Sequence, residues 1–347
     1  MGPTRLIIAL LTGLVGPLTA CSQPDVNSEP QDINPPLNEA IRYGQTETVT
    51  ELLDSGADVN IKDSNGLNAL AQAVITGQVE ILKALLDSGA DVNLKDSSGM
   101  TALAQATGLG AIDTIKTLLD AGADTNAKDN SGKTALMRAL SVPKPDILQT
   151  LLDAGADVNA QDNDGRTALM EVAARGVFET LQALFKAGAR VKTKDKNGQT
   201  ALMDAARADS VEMVEALIST GADINAKNGE GKTAYIQAGG RSSVARLLNR
   251  AQQKTLSDLI DAAQNGQIER VHSLLQAGVD VNARTRDGRT ALMNAAGQGQ
   301  IEIVQALLDG GADVSLKTGT SITASMAAAV AGHSEIVELL KQAGTQQ

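Results

Sequence analysis

Gly56-Ala-Asp-Val-Asn60, met again as Gly89-Ala-Asp-Val-Asn93 after 33 residues, decides the architecture of this chain. The phrase returns in register at Gly122–Asn126 (GADTN), Gly155–Asn159 (GADVN), Gly188–Lys192 (GARVK) and Gly221–Asn225 (GADIN). After a break it resumes at Gly278–Asn282 (GVDVN) and Gly311–Ser315 (GADVS). A second phrase keeps step with it, from Gly66-Leu-Asn-Ala-Leu70 and Gly99-Met-Thr-Ala-Leu103 through to Gly288-Arg-Thr-Ala-Leu292. A fixed period of this length means a stack of one supersecondary unit, no copy of which can bury its apolar face alone.

One period shows how the unit builds itself. Asp63-Ser-Asn-Gly66 is a turn signal, because the Asp side chain can accept from nearby amides and Gly tolerates positive φ. Asn68, replaced by Thr in most copies, is placed to cap a helix of small apolar residues over Ala69 to Ile75, and Gly77 breaks it. A second helix, Val79 to Asp87, carries Ile81, Leu82, Leu85 and Leu86 on one face. Gly89 then stands where a left-handed residue ends a helix. The product is turn, helix, break, helix.

The repeated string D-x-x-G-x-T-A-L-x-x-A…G-x-x-x-I-V-x-x-L-L-x-x-G-A-D-V-N resembles the ankyrin repeat over roughly residues 37–344. The resemblance implies an all-α repeat solenoid: an ankyrin stack of about ten helix-turn-helix units with short β-hairpin turns. One departure is consistent. The family's Thr-Pro-Leu-His reads here Thr-Ala-Leu-Met, so Met137, Met170, Met203 and Met293 stand where the family's histidine bonds around the hairpin. Those contacts are expected to become packing; the alternative is that the methionines form an adaptable binding surface.

The stack is expected to be interrupted. The interval from Ala238 to Leu247 is three residues shorter than its counterparts, and residues 249–255 lead into Leu256-Ser-Asp-Leu-Ile-Asp-Ala-Ala263 without a D-x-x-G hairpin. Two arrays follow, about seven repeats over 37–252 and about three over 255–347. They either abut at a kink or hinge near residue 250, and abutting is favoured because three repeats are about the minimum for stability.

The N-terminus reads as a targeting segment. Arg5 precedes an apolar run from Leu6 to Leu18, too short to span a bilayer, which ends Leu18-Thr-Ala-Cys21. That tetrad resembles the lipobox of bacterial lipoproteins, implying a signal peptide over 1–20 and a lipidated Cys21. Ser22, rather than the Asp that retains such proteins in the inner membrane, implies the outer membrane facing the periplasm. Residues 21–36 then form a Pro-rich tether. Cys21 is the only cysteine, which excludes an intramolecular disulfide.

Composition and motif search narrow the function. The net charge is −11, and no Lys/Arg block offers a phosphate-binding footprint, so nucleic acid is not expected. Tyr43, Phe178, Phe185 and Tyr235 are all the aromatics present, too few to line a sugar-stacking pocket. Gly132-Lys-Thr134 and Gly231-Lys-Thr233 lack the upstream glycine of a phosphate loop, having Ala127 and Ala226 there. Asp162-Asn-Asp164-Gly165 with Glu171 mimics part of a calcium loop, yet Ala160 occupies the first ligand position. His272 and His333 lie in different repeats, and no cofactor, metal or small-molecule substrate is expected.

In the ankyrin family the ligand lies on the hairpin tips and the concave side of the first helices. Here those positions hold Tyr43, Leu67, Ile75, Met100 and Leu109 in the early repeats, then Lys133, Arg166, Arg175, Arg207, Lys232 and Arg289. Second helices carry Glu51, Glu80, Glu212, Glu215, Glu302, Glu335 and Glu338. The expectation is a protein partner with an apolar element over the first group and an acidic surface over the second; the alternative is that the cations serve solubility, paired with neighbouring Asp. Reversing Arg166, Arg175 and Arg289 to Glu is expected to abolish capture while the fold survives. The expected function is a non-catalytic protein-binding module tethered to the bacterial envelope. An immunity-type inhibitor of a toxic periplasmic enzyme is one alternative, and an envelope enzyme or glycan binder is another of a different class.

Overall fold

The computed structural model describes residues 34–63, 65–142, 144–240 and 242–345. The signal segment, Cys21 and most of the tether lie outside the described residues, as does Pro143. Within them nineteen helices make ten units. The first array pairs α1 (Asn34–Arg42) with α2 (Thr46–Asp54), α3 (Ala69–Ile75) with α4 (Val79–Asp87), and α5 (Ala102–Leu109) with α6 (Ile112–Asp120). It continues with α7 (Ala135–Ala139) and α8 (Pro145–Asp153), α9 (Ala168–Arg175) and α10 (Phe178–Lys186), α11 (Ala201–Arg207) and α12 (Val211–Ser219), then α13 (Ala234–Gln237). After α14 (Ser243–Gln264) come α15 (Ile268–Gln276), α16 (Ala291–Gly297), α17 (Ile301–Asp309), α18 (Ala324–Val330) and α19 (Ser334–Gly344).

The local chemistry read from one period is the chemistry found. The side chains of Asn68, Thr101, Thr167, Thr200, Thr290 and Thr323 each accept from the amide three residues on, capping the first helices. Second helices close with a Schellman pattern: Gly89 N–H donates to Leu86 O and Ala90 N–H to Leu85 O, with Gly89 at φ 86. In five hairpins an Asp carboxylate (Asp63, Asp96, Asp129, Asp162 or Asp195) gathers two amides, as Asp96 does from Ser98 and Met100. The hairpins are bonded turns, and the described residues contain no sheet beyond one isolated bridge, Lys62 to Asn68.

Units are stitched by the last residue of the GADVN phrase. Asn60, Asn93, Asn126 and Asn159 each accept through Oδ1 from the amide 31 residues on, at 2.7–2.8 Å. Beneath this polar seam the small first helices pack flat, so Ala69, Ala102, Ala135, Ala168 and Ala201 are buried beside Leu85, Leu118, Leu151, Leu184 and Leu217. The methionines Met137, Met170, Met203 and Met293 belong to this core, all at 9% exposure or less.

Two features differ from the sequence reading. The first helix begins at Asn34, inside the stretch read as tether, because prolines fit a first helical turn where the amide has no partner. At the interruption the backbone is helical through residue 250, with no loop between the arrays there. A single helix of 22 residues, α14, joins the second helix of the seventh unit to the first helix of the eighth. Ser242 caps it, and no Gly or Pro interrupts it. One buried apolar cluster ends at Leu248 and the next begins at Leu259.

Candidate functional site

The ends of the first helices and the hairpins place the predicted residues in two sets. Tyr43, Ile75 and Leu109 stand at the C-terminal ends of α1, α3 and α5, exposed at 68%, 51% and 57%. Successive helices in such a stack lie about 8–10 Å apart, which makes the three a spaced apolar row. Leu67 and Met100 are half-buried at the hairpins above them, their amides held by Asp63 and Asp96.

The cations are engaged within the chain. Arg166 Nη2 donates to Asp204 Oδ2 at 2.9 Å and its Nη1 lies 3.6 Å from Asp195. Arg207 reaches the other oxygen of Asp204 at 2.7 Å. Arg175 pairs with Glu171 at 2.7 Å and donates to the carbonyl of Leu140 at 3.0 Å. Lys232 pairs with Glu230 at 2.7 Å and Arg289 with Asp287 at 3.1 Å. Lys133 is exposed on its hairpin, with its amide held by Asp129. An acidic partner thus meets a surface whose cations already have acidic neighbours, and exposed pairs of this kind contribute only about 0–1 kcal/mol each.

A polar line under the hairpins went unnoticed in the sequence. The residue after the Thr-Ala-Leu-Met phrase or its variant is Gln72, Gln105, Arg138, Glu171, Asp204, Gln237 and Asn294, polar in all but the last copy, where Ala327 stands. That periodic exception was the available signal. Gln105 donates to Asp96 at 2.7 Å, Arg138 pairs with Asp129, and Gln199 and Gln237 exchange bonds at 2.9 and 2.7 Å. The acids respond to these surroundings. Burial pushes the Asp96 carboxyl up, but the Ser98 hydroxyl, the Met100 amide and Gln105 together hold it below its ordinary value. Asp129 is likewise pushed up by burial and brought lower by the Lys133 amide and Arg138. Asp204 goes the other way, because full burial raises it more than its two guanidiniums lower it.

The methionine position records where stacking stops. It is 9%, 1%, 1% and 5% exposed at Met137, Met170, Met203 and Met293, each covered by the first helix of the next unit. Its counterparts Ile236 and Met326, which close the two arrays, are 53% and 54% exposed. A cavity of about 900 Å³ opens at Ile236, with Gln199, Gln237, Lys196, Arg207 and Lys232 in its walls. Another of about 680 Å³ lies between Met293 and Met326, bordered by Arg289, Ile322 and Val330. The structure therefore brings Arg207 and Lys232 together at one opening and leaves Arg289 at another; Arg175 stands apart, against the fourth unit. Among the described residues no group of three or more His, Cys, Asp or Glu is placed to hold a metal ion.

Known proteins agree with this geometry. No curated protein matches the chain. Among solved structures, the chain is similar to the crystal structure of the ankyrin repeat domain of Bcl-3, described as a unique member of the IkappaB protein family. The identity is 29% and the TM-score 0.57, over 62% of this chain and 97% of that one. The family described as ankyrin repeats in three copies matches residues 6–96, 37–129, 89–162, 136–228, 169–258 and 259–347. With a Schellman-closed helix pair every 33 residues and family matches along almost its whole length, the chain belongs to the ankyrin-repeat family.

Proposed function

We propose that the chain is a protein-binding module whose partner lies along the ends of the first helices, held at a bacterial envelope by a lipid on Cys21. The carrying observation is the row Tyr43, Ile75 and Leu109, three large apolar side chains kept in water on consecutive units. Tyr at the end of such a row is a residue type enriched where binding energy concentrates. Ankyrin stacks generally serve as non-enzymatic interaction scaffolds, and long surfaces of this sort suit protein partners. The acidic part of the partner faces Lys133, Arg175, Lys232 and Arg289, where charge guides encounter more than it adds affinity.

The test is affinity purification from intact envelopes with the full chain, a Tyr43→Ser/Ile75→Ser/Leu109→Ser chain and a Cys21→Ser chain. A partner retained by the first, lost by the second and recovered away from membranes by the third supports the reading. A partner held equally by the triple variant rejects the apolar row, and a Cys21→Ser chain that stays in the membrane fraction rejects the anchor. If the partner is an enzyme silenced at equimolar ratio, the module acts as an inhibitor of the immunity type.

A further inference from the structure

Eight glycines close second helices through the GADVN phrase, and seven of them have open space where a Cβ would stand. Gly278 does not: a Cβ there would lie 2.8 Å from Cγ of Asp223. The turn that ends α15 is therefore packed on the turn that ends α12, although 57 residues separate their glycines instead of 33.

Two side chains make the same junction. Asn126, Asn159 and Asn282 donate to the glycine carbonyl of the next turn, 29 residues on. Asn225 instead donates to Gly278 O, 53 residues on, at 3.3 Å, while Gln252 of α14 donates to its Oδ1 at 2.9 Å. Lys192 breaks the asparagine rule altogether. Its Nζ donates at 2.7 Å to the carbonyl of Gln276, the last residue of α15, 84 residues away. A lysine beside a helix C-terminus is also favoured by the helix dipole. Around this bond Arg190, Thr193, Thr220 and Ser273 border a cleft of about 730 Å³.

We infer that the turns after α10 and α12 form an internal docking surface whose occupant is the eighth repeat of the same chain, and that Lys192 and Asn225 are the residues that select it. The 22-residue helix α14 sends the chain past the point where a ninth-residue turn would have returned it, and α15 comes back to meet those turns. Docking fixes the angle between the two arrays, and with it the placing of their open ends at Ile236 and Met326. A lysine in the fifth turn is the sequence mark of that contact. The alternative holding device is the stiffness of α14 by itself, which needs neither side chain.

The experiment uses the full chain with Cys21→Ser, and spin labels on cysteines placed at exposed Gln182 of α10 and Glu269 of α15. A double variant, Lys192→Asn/Asn225→Ala, removes both bonds, and Lys192→Asn supplies the residue that accepts from the following turn elsewhere, so the first array is expected to stay folded. Gly278→Asn attacks the contact from the other side with a residue that accepts left-handed φ. The expected result is a narrow distance distribution in the parent that broadens in both variants. Amide exchange over residues 277–282 is expected to accelerate about tenfold, with residues 201–217 unchanged. An unbroadened distribution in both variants overturns the inference and leaves α14 as the element that holds the arrays.

Discussion

The guanidinium of Arg166 on the hairpin of the fifth unit donates to the wholly buried carboxylate of Asp204 on α11, Nη2 to Oδ2 at 2.9 Å, across a separation of 38 residues. Arg207 binds the other oxygen from the end of the same helix. A residue that looked in the sequence like part of an acidic partner's landing site is thus a tie between two units. Removing one member of a buried pair strands the rest, at about 3–5 kcal/mol. Both guanidiniums reach solvent, so Asp204→Ala is expected at or below the lower end of that range, read by urea denaturation. Arg166→Glu would set a new acid against Asp204 and Asp195, so a charge-reversal test of binding is best confined to Arg175, Lys232 and Arg289.

The hairpin acids give the stack an acid-sensitive component. Asp96 and Asp129 are held below their ordinary value of 3.8, so the stability they supply is complete above 3.8 and is lost as pH falls through their folded values. Asp204 is raised, so its own contribution runs opposite, greatest when protonated and falling as pH rises through its folded value. Asn228 already performs the turn-forming role, its Oδ1 accepting from Glu230 and Lys232. Asp96→Asn/Asp129→Asn is therefore expected to keep the hairpins and to lose less stability between neutral pH and pH of about 3 than the parent. Equal acid limbs in urea titrations would contradict this assignment.

The methionine position separates covered from open units. Met203→Ala removes a fully covered side chain and is expected to cost about 2–5 kcal/mol through lost burial and the cavity left behind. Met326→Ala trims a side chain that is 54% exposed, and should cost under about 1 kcal/mol. Comparable losses at the two sites would mean that the end of the second array is covered in solution.

Asp209 stands at φ 53 between α11 and α12, where sister turns have Gly77, Gly110 or Gly176 in the same left-handed region. Ser321 likewise takes the place of the hairpin glycine at φ 64. Left-handed backbone costs an L-residue about 1–2 kcal/mol, less for Asp. Asp209→Gly and Ser321→Gly are each expected to stabilise by about 0.5–1 kcal/mol, offset in part by the greater freedom of glycine in the unfolded chain. A lower urea midpoint in either chain refutes the strain argument.

The repeating unit was legible because each of its parts is made by neighbours in sequence. Asn68 capping Ala71, Gly89 closing α4 and Asp63 drawing in the hairpin amides all act within five residues, so the helix limits Ala69–Ile75 and Val79–Asp87 could be read directly. Exposure of Tyr43, Ile75 and Leu109 followed from the same register. The pairing of Arg166 did not, because its partner lies one unit further on and the polar position it meets looks like an accident until the units are stacked.

Sequence alone settled the ankyrin unit, its period and the place where regular succession fails, since local hydrogen bonding and helical periodicity determine all three. Only the tertiary structure decided that Ser243–Gln264 is one helix, that Lys192 answers to Gln276, and that Ile236 stays uncovered. Those outcomes depend on which surfaces, far apart in the chain, exclude water from one another, and no spacing within a single repeat encodes that choice.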